Sequence, residues 1–193
     1  RREVLPHLQT FPSLKVWVAG CADGEELYSL AILFREEGLL ERTLFYATEI
    51  NGRALRRAEA GVYDIDRLPQ FSQNYQQAGG RSSLSDYYIA AYGRAAFDRS
   101  LRARTVFTEH NLATDQVFSE VHLITCRNVL IYFDTPLQDR ALGLFAEALT
   151  RGGFLGLGSH ETLRFSPHAA AFVAFDESRR IWRRTSQELS HAE

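Results

Sequence analysis

The sequence predicts an α/β protein built on one open, mostly parallel sheet with helices on both faces. Three observations support this prediction. Five apolar runs are continuous rather than alternating, as expected of parallel strands that are covered on both faces. Amphipathic segments with helical spacing lie between the runs, and the end of the chain has the pattern of an antiparallel hairpin. With 193 residues, of which 45% are apolar, the chain is long enough to bury one core.

The five apolar runs give the predicted parallel strands. They are KVWVAG (15–20), LFYATE (44–49), RTVFTE (104–109), VHLITC (121–126) and GFLGLG (153–158). Strands that alternate with helices are joined by right-handed crossovers, so these runs should lie side by side in one sheet.

Two segments between the strands have apolar residues on one helical face. After Gly24 these are Leu27, Leu30, Ala31 and Phe34. In the segment opened by Thr135-Pro136, a good cap followed by a good first helical residue, they are Leu137, Ala141, Leu144, Phe145 and Leu149.

The chain ends with two short β-like runs, within 171–184, that predict a hairpin. About five parallel strands closed by a hairpin favour the Rossmann-like sheet of class I methyltransferases over a plain dinucleotide-binding fold. Residues 62–103 look like an irregular insert, in which Tyr87, Tyr88 and Tyr92 fall on roughly one helical face.

Composition excludes several classes of protein. A net charge of −2 gives no electrostatic case for a nucleic-acid partner. No apolar run approaches the ~20 residues that cross a bilayer, so we expect no membrane insertion. The two cysteines, Cys21 and Cys126, form no disulfide framework and favour a reducing cytoplasm. We expect both to be reduced and near each other, at the ends of neighbouring strands. The six histidines lack ligand spacing, so no metal site is predicted.

Polar residues follow several of the predicted strands. In an open parallel sheet, ligands bind in the crevice outside the carboxyl ends of the strands. The residues expected there are Gly20 to Glu25, Glu49, Asn111 and the run Cys126-Arg127-Asn128.

The turn after the first strand carries acids instead of a phosphate-binding lysine. It contains neither G-x-G-x-x-G nor G-x-x-x-x-G-K-[ST], which counts against NAD and nucleoside triphosphates. Carboxylates would attract the sulfonium and α-ammonium groups of S-adenosylmethionine. Alternatively, Glu25 and Glu26 would only stabilise a helix N-terminus, by roughly 0.3–1 kcal/mol each. The two roles are compatible, with one of these acids attracting the cofactor and the other stabilising the helix.

Glu49 is the most informative single position, because an acid that ends the second strand is placed to bind both ribose hydroxyls of a nucleotide. An ordinary surface carboxylate at a strand end is the alternative interpretation.

Five segments together resemble the CheR-type chemoreceptor glutamate methyltransferases. They occur in the right order between residues 15 and 184, and CRNVLIYF is the most specific element. The segments are GCADGEELYSLAI (20–32), TEINGRALRRAEAGVY (48–63), HNL (110–112), CRNVLIYFD (126–134) and GGFLGLGSHETL (152–163).

The resemblance implies S-adenosylmethionine as the methyl donor and S-adenosylhomocysteine as the product. It implies that Glu25 contacts the methionine part or its ammonium group, that Glu49 binds the ribose, and that Tyr132 lies beside the transferred methyl. It also implies that Asn111 and Leu112 flank the adenine. The complete set of implied cofactor-binding residues is Gly20, Glu25, Glu49, Asn111, Leu112, Arg127 and Asn128, and the implied catalytic residues are Tyr132 and Arg127.

The chain also departs from the family pattern. The family usually has Asp where this chain has Glu49, which is one methylene longer and chemically equivalent. The family's N-terminal helical domain ends in a motif that is not present here, so we expect 1–14 to be a linker from a missing domain and 15–193 to be the catalytic domain. The three-stranded insert of some members is not evident in 62–103.

The implied reaction is methyl transfer to glutamate side chains on cytoplasmic helices of a methyl-accepting chemoreceptor. A carboxylate acceptor is already ionised at neutral pH, so no general base is required. Arg53, Arg56 and Arg57 form a basic helix face that is either solvated surface or a docking site for an acidic helix. The alternatives are a non-catalytic cofactor-binding sensor or scaffold, a small-molecule O-methyltransferase and, third, a nicotinamide dehydrogenase.

Overall fold

The computed structural model describes residues 1–185. In this range no helix has the length and apolar character needed to span a membrane. The helices are α1 (Val4–Leu8), α2 (Glu25–Glu36), α3 (Gly52–Ala60), α4 (Leu68–Gln77) and α5 (Thr135–Ala148). The strands are β1 (Leu14–Ala19), β2 (Thr43–Glu49), β3 (Val62–Asp64), β4 (Tyr88–Ala91), β5 (Arg94–Phe97), β6 (Thr105–Glu109), β7 (Val121–Cys126), β8 (Leu149–Leu157), β9 (Phe172–Asp176) and β10 (Ile181–Arg184).

The main sheet has seven strands within the described range, in the order β6-β2-β1-β7-β8-β10-β9. The strands from β6 to β8 run parallel, and β10 lies antiparallel to both β8 and β9. All five predicted parallel strands and the C-terminal hairpin are therefore confirmed. The sheet is that of a Rossmann-like class I methyltransferase, mostly parallel with an antiparallel hairpin.

The two faces of the sheet are covered by separate core layers. Alternate residues of β1 enter different layers, because successive side chains of a strand point to opposite faces. Val16 packs with Phe34 of α2 and Phe45 of β2, whereas Trp17 packs with Phe145 of α5. The continuous apolar runs of the sequence reflect this burial on both sides.

Both predicted helices are present, but the second begins and ends differently. Asp134, not Thr135, is the cap of α5, since its carboxylate accepts the N–H of Leu137 at 3.0 Å. Pro136 occupies the first turn, where its missing N–H costs nothing. Leu149 begins β8 instead of continuing the helix.

The insert at 62–103 contains a three-stranded antiparallel sheet in the order β3-β5-β4, which the sequence pattern did not make evident. The expected helical face is wrong. Tyr87 is buried, Tyr88 begins β4, and Tyr92 is fully exposed in the turn to β5. Tyr92 and Gly93 both have positive φ angles, +52° and +73°, as a tight two-residue hairpin requires.

The segment predicted to be a linker, 1–14, packs on the domain. Leu5 and Leu8 of α1 are buried in the layer that α2 covers. Arg1 pairs with Glu36 and Glu37 at the end of α2, with N–O distances of 2.6 and 2.7 Å.

The cysteines are free and buried; Cys126 ends β7, and Cys21 lies two residues beyond the end of the neighbouring strand β1. They lie in different core layers, on opposite faces of the sheet, so the expectation that they are near each other is wrong. Cys21 packs in the α2 layer, because the chain turns at Gly20, whereas Cys126 belongs to the α5 layer.

Candidate functional site

The predicted site residues follow the carboxyl ends of four adjacent strands, β6, β2, β1 and β7. Parallel pairing brings these ends to the same edge of the sheet. Gly20, Glu49, Asn111 and Arg127 all lie one or two residues beyond or at a strand end. The topology alone thus gathers them at one crevice, although their roles stay predictions.

The turn after β1 is tight and packs against the loop after β7. Gly20, Ala22 and Gly24 have positive φ angles of +68°, +48° and +89°. A Cβ atom on Gly20 would lie 2.5 Å from a methyl carbon of Val129, so no larger residue fits without displacing that loop. The N–H of Cys21 donates to the Thr48 carbonyl at 2.9 Å, which fixes the turn beside β2.

Glu49 bridges the turn and the start of α3. One carboxylate oxygen accepts the N–H of Ala22 and the other accepts the N–H of Asn51, both at 3.0 Å. A carboxylate has about four acceptor sites, so capacity remains for two hydroxyl donors. Ile50, next in the chain, is 64% exposed at this edge, and sequence reasoning did not single it out. Its side chain therefore leaves an apolar surface at the edge of the site.

Two of the three acids in and after the turn form ion pairs with arginines and stay partly exposed. Asp23 pairs with Arg57 of α3, whose two nitrogens lie 2.8 and 2.9 Å from it. Glu25 pairs with Arg67, which belongs to the insert. Glu25 therefore also ties the insert to the first turn of α2, a contact that the sequence did not indicate.

Glu26 is the half-buried acid of the turn. Burial raises its pKa above the ordinary carboxyl range, the Thr125 hydroxyl and the Arg127 guanidinium oppose this shift, and the Glu161 carboxylate adds to it. The charge of Arg127 therefore acts on Glu26, one of the two acids that begin α2. The sequence left open which of them faces the ligand.

At the end of β6, Asn111 and Leu112 form a compact turn. The amide oxygen of Asn111 accepts the N–H of Ala113 at 2.9 Å, and the Asn111 N–H donates to Asp115 at 2.9 Å. The Leu112 side chain is 7% exposed and packs in the α5 layer. These contacts fix the backbone at the place where the resemblance predicts the adenine.

The loop after β7 carries exposed polar side chains. Arg127 and Asn128 are exposed, and Asn128 has a φ of +59°. Tyr132 ends a short helical turn and is 81% exposed, so its side chain is accessible to a large partner. Glu161, by contrast, is 4% exposed and accepts backbone N–H groups of this loop; sequence reasoning quoted its motif but gave it no role.

A cavity of about 540 Å³ adjoins the site on the α2 side. Glu25 and Arg127 lie among its lining residues, and Tyr63, Phe71 and Phe97 of the insert provide aromatic walls. The site edge therefore continues into a partly open cavity between α2 and the insert.

The polar groups of the crevice fit a cationic cofactor that carries no phosphate. The turn presents carboxylates and no lysine, and Glu49 keeps acceptor capacity for hydroxyl groups. In the described part of the chain, no three His, Cys, Asp or Glu side chains are grouped as metal ligands would be.

Comparisons with known proteins agree with this chemistry. Residues 1–178 match the family model described as "CheR methyltransferase, SAM binding domain". The chain is 55% identical over 185 residues to "Putative methyltransferase Cher3" of Pseudomonas putida, covering 96% of this chain and 68% of that protein. It is 34% identical over 164 residues to "Chemotaxis protein methyltransferase" of Listeria monocytogenes, covering 84% of this chain and 60% of the relative.

A solved structure, magnesium protoporphyrin IX methyltransferase (ChlM) from Synechocystis with bound SAH, aligns with a TM-score of 0.43 at 20% identity, over 79% of this chain and 49% of that one. The chain spans about half the length of the Vibrio relatives that it matches, at 54% of each.

Proposed function

The chain belongs to the CheR methyltransferase family and binds S-adenosylmethionine, and on that premise we propose that it methylates glutamate side chains of a chemoreceptor. The acid-lined turn between β1 and α2 is the observation that carries the proposal, because it suits a sulfonium donor and no phosphorylated one. The names of relatives such as the Listeria protein support chemoreceptors as the substrate class.

The cofactor would be held by residues from all four strand ends. Glu49 would accept hydrogen bonds from the ribose hydroxyls, and Glu25 would attract the ammonium group. Asn111 and Leu112 would flank the adenine, and Gly20, Arg127 and Asn128 would line the remaining wall. When bound, S-adenosylmethionine supplies an electrophilic methyl group on a positively charged sulfur.

The acceptor would need alignment and desolvation more than deprotonation. A glutamate side chain has a reference pKa of about 4.3, so it is ionised at neutral pH. The Tyr132 hydroxyl would donate a hydrogen bond that orients the acceptor carboxylate, and Arg127 would balance charge beside it. Holding an ionised acceptor in attack geometry is a large source of rate enhancement.

The acceptor glutamates would lie on cytoplasmic helices of the receptor, which places the reaction in the cytoplasm. Arg53 and Arg56 provide the basic face of α3 that would dock an acidic helix. Both are exposed, and Arg53 has no ion-pair partner among residues 1–185. Arg57 is already paired with Asp23, so it would contribute less to docking.

Transfer of labelled methyl groups tests the proposal. The purified protein is incubated with methyl-labelled S-adenosylmethionine and cytoplasmic fragments of chemoreceptors, and the labelled fragment is then treated with mild alkali. We expect label in the receptor fragment and its release as volatile methanol, because hydroxide cleaves an ester. Fragments whose acceptor glutamates are changed to alanine serve as the control. Alkali-stable label would place the methyl on nitrogen or an ether oxygen and contradict the proposal.

Absence of incorporation with every receptor fragment, despite tight binding of S-adenosylhomocysteine, would also contradict it. That result would mean that the chain binds the cofactor without transferring its methyl group to a receptor.

A further inference from the structure

The side chain of Glu161 makes an unusual set of hydrogen bonds for a buried carboxylate. One oxygen accepts the N–H groups of Val129 and Leu130 at 2.9 and 2.8 Å. The other accepts the N–H groups of Asn128 and Gly158 at 3.1 and 2.6 Å. A charged group that is 4% exposed is costly unless it is paired or hydrogen-bonded, and four N–H donors provide that compensation.

The loop that Glu161 binds has little regular structure of its own. Only Leu130 to Tyr132 form a short 3-10 turn, and Asn128 is held at a φ of +59°, a left-handed conformation that side chains other than glycine seldom adopt. On the other side of the loop, the amide of Gln138 donates to the carbonyls of Leu130 and Phe133 at 2.9 and 3.0 Å. Two side chains thus hold this loop, one by its N–H groups and one by its carbonyls.

The same contacts join three strand ends. Gly158, at the end of β8, lies so close to the loop that a Cβ atom on it would be 2.7 Å from the Asn128 side-chain oxygen. Val129 in turn packs against Gly20 of the turn after β1. A displacement of the loop would therefore move Arg127, which lines the cavity beside the site, and would also disturb the turn after β1.

We propose that Glu161 is a positioning residue: it holds the Arg127–Tyr132 loop in the conformation in which the cofactor is bound. The proposal rests on cofactor binding, which the family shows, and not on which acceptor is methylated. Glu161 would act through the backbone of the loop, because its carboxylate oxygens accept the N–H groups of Asn128, Val129 and Leu130.

The substitution Glu161→Gln tests this with minimal change of shape. The amide replaces one oxygen by an NH₂ group, which then faces two N–H donors, so two of the four bonds are lost. Gln138→Leu removes the opposite support without altering any charge. Glu177→Gln is the matched control, since Glu177 is a largely exposed carboxylate that pairs only with Arg164 at 3.1 Å among the described residues.

Two measurements report on the loop without any methyl acceptor. In hydrogen–deuterium exchange we expect the amides of 128–130 to exchange about 10- to 100-fold faster in Glu161→Gln, with the amides of β1 and β7 unchanged. By titration calorimetry, about 10 °C below the onset of unfolding of each variant, we expect S-adenosylhomocysteine to bind roughly 5- to 30-fold more weakly. Gln138→Leu should weaken binding in the same direction, and Glu177→Gln should leave it within about twofold.

Wild-type exchange and wild-type binding in folded Glu161→Gln would overturn the proposal. Faster exchange spread evenly over β1 and β7 would also overturn it, because that pattern reports a general loss of stability. If Glu161→Gln does not fold, unchanged cofactor binding in Gln138→Leu decides against the proposal and weakened binding supports it. A failure of the proposed glutamate methylation would appear instead as absent ester with cofactor binding intact.

Discussion

Replacement of Glu49 by alanine should weaken cofactor binding while the domain stays folded. The carboxylate lies at the end of β2, half-buried, with one N–H of the β1 turn and one N–H of α3 bound to it. Alanine removes the acceptor of the two proposed ribose hydrogen bonds and the support of the turn at Ala22. Asn51 still caps α3 through its own side chain, so the helix should persist.

The expected magnitude follows from the two hydrogen bonds. A hydrogen bond to a charged group contributes about 1.5–3 kcal/mol, and water replaces part of this at a half-buried position. We therefore expect a loss of about 1.4–4 kcal/mol, which corresponds to a 10- to 1,000-fold higher dissociation constant for S-adenosylhomocysteine.

Titration calorimetry at about 0.15 M salt measures the change, and circular dichroism verifies the fold. Glu109→Ala is the matched control, because Glu109 lies beside Glu49 in the register of β6 with β2 but its carboxylate lies against Gly52 of α3. The control should change the dissociation constant less than about threefold. Equal losses in both variants would refute the assignment, since they would indicate a general effect of charge. An unchanged constant in folded Glu49→Ala would refute it directly.

Three further predictions concern the turn, the buried acid and the thiols. Gly20→Ala should lower the urea midpoint of unfolding more than Gly38→Ala does. Alanine at a positive φ costs about 1–2 kcal/mol at either position, but of these two glycines only Gly20 has a neighbour within 4 Å of the added Cβ. Equal losses of stability in the two variants would contradict this prediction. Burial raises the pKa of Glu26, so the folded state binds more protons and the free energy of unfolding should fall as pH rises between the ordinary and the raised pKa. In urea titrations at several pH values, the free energy of unfolding of Glu26→Gln should fall less with rising pH than that of the wild type. Parallel pH dependences of the two proteins would contradict the raised pKa of Glu26. Burial also raises the pKa of Cys21 to about 12 and that of Cys126 well above its usual value. Both thiols should therefore react slowly with Ellman's reagent at about pH 8 in the native protein and quickly after unfolding. Fast reaction of the native protein would contradict this prediction.

The main sheet was predictable because its strands are buried on both faces. Runs such as 121–126 contain no surface positions that would break the apolar pattern, and β7 begins and ends at the predicted residues. The C-terminal hairpin was likewise predictable from its two short β-like runs. Other boundaries differed from the prediction: Asp134, not Thr135, caps α5, and β8 begins at Leu149, four residues before the predicted run.

The insert could not be predicted in the same way. Its strands have three or four residues, and most positions of β4 are exposed. Burial alternates along β5, but Ala95 and Ala96 are both apolar, so the sequence does not reveal the alternation. The Tyr92-Gly93 turn fixes the pairing of β4 with β5, and a tyrosine at positive φ is an uncommon signal for a hairpin.

The strand-end residues of the site were predictable from topology, and their side-chain partners were not. Arg67, which pairs with Glu25, comes from the insert, and Glu161 reaches a loop 31 to 33 residues earlier in the chain. Such contacts depend on how distant elements pack, and one sequence contains no pattern for them. Cofactor chemistry could be inferred because the charges of the turn lie within a few consecutive residues.

Tandem mass spectrometry of the methylated receptor fragment tests the central claim most directly. The protein is incubated with S-adenosylmethionine and a receptor cytoplasmic fragment, and the digested peptides are sequenced before and after mild alkali. Our account predicts the added methyl on glutamate side chains and its loss after alkali. A methyl group found on lysine, on another nitrogen or on a hydroxyl, and retained after alkali, would contradict the account.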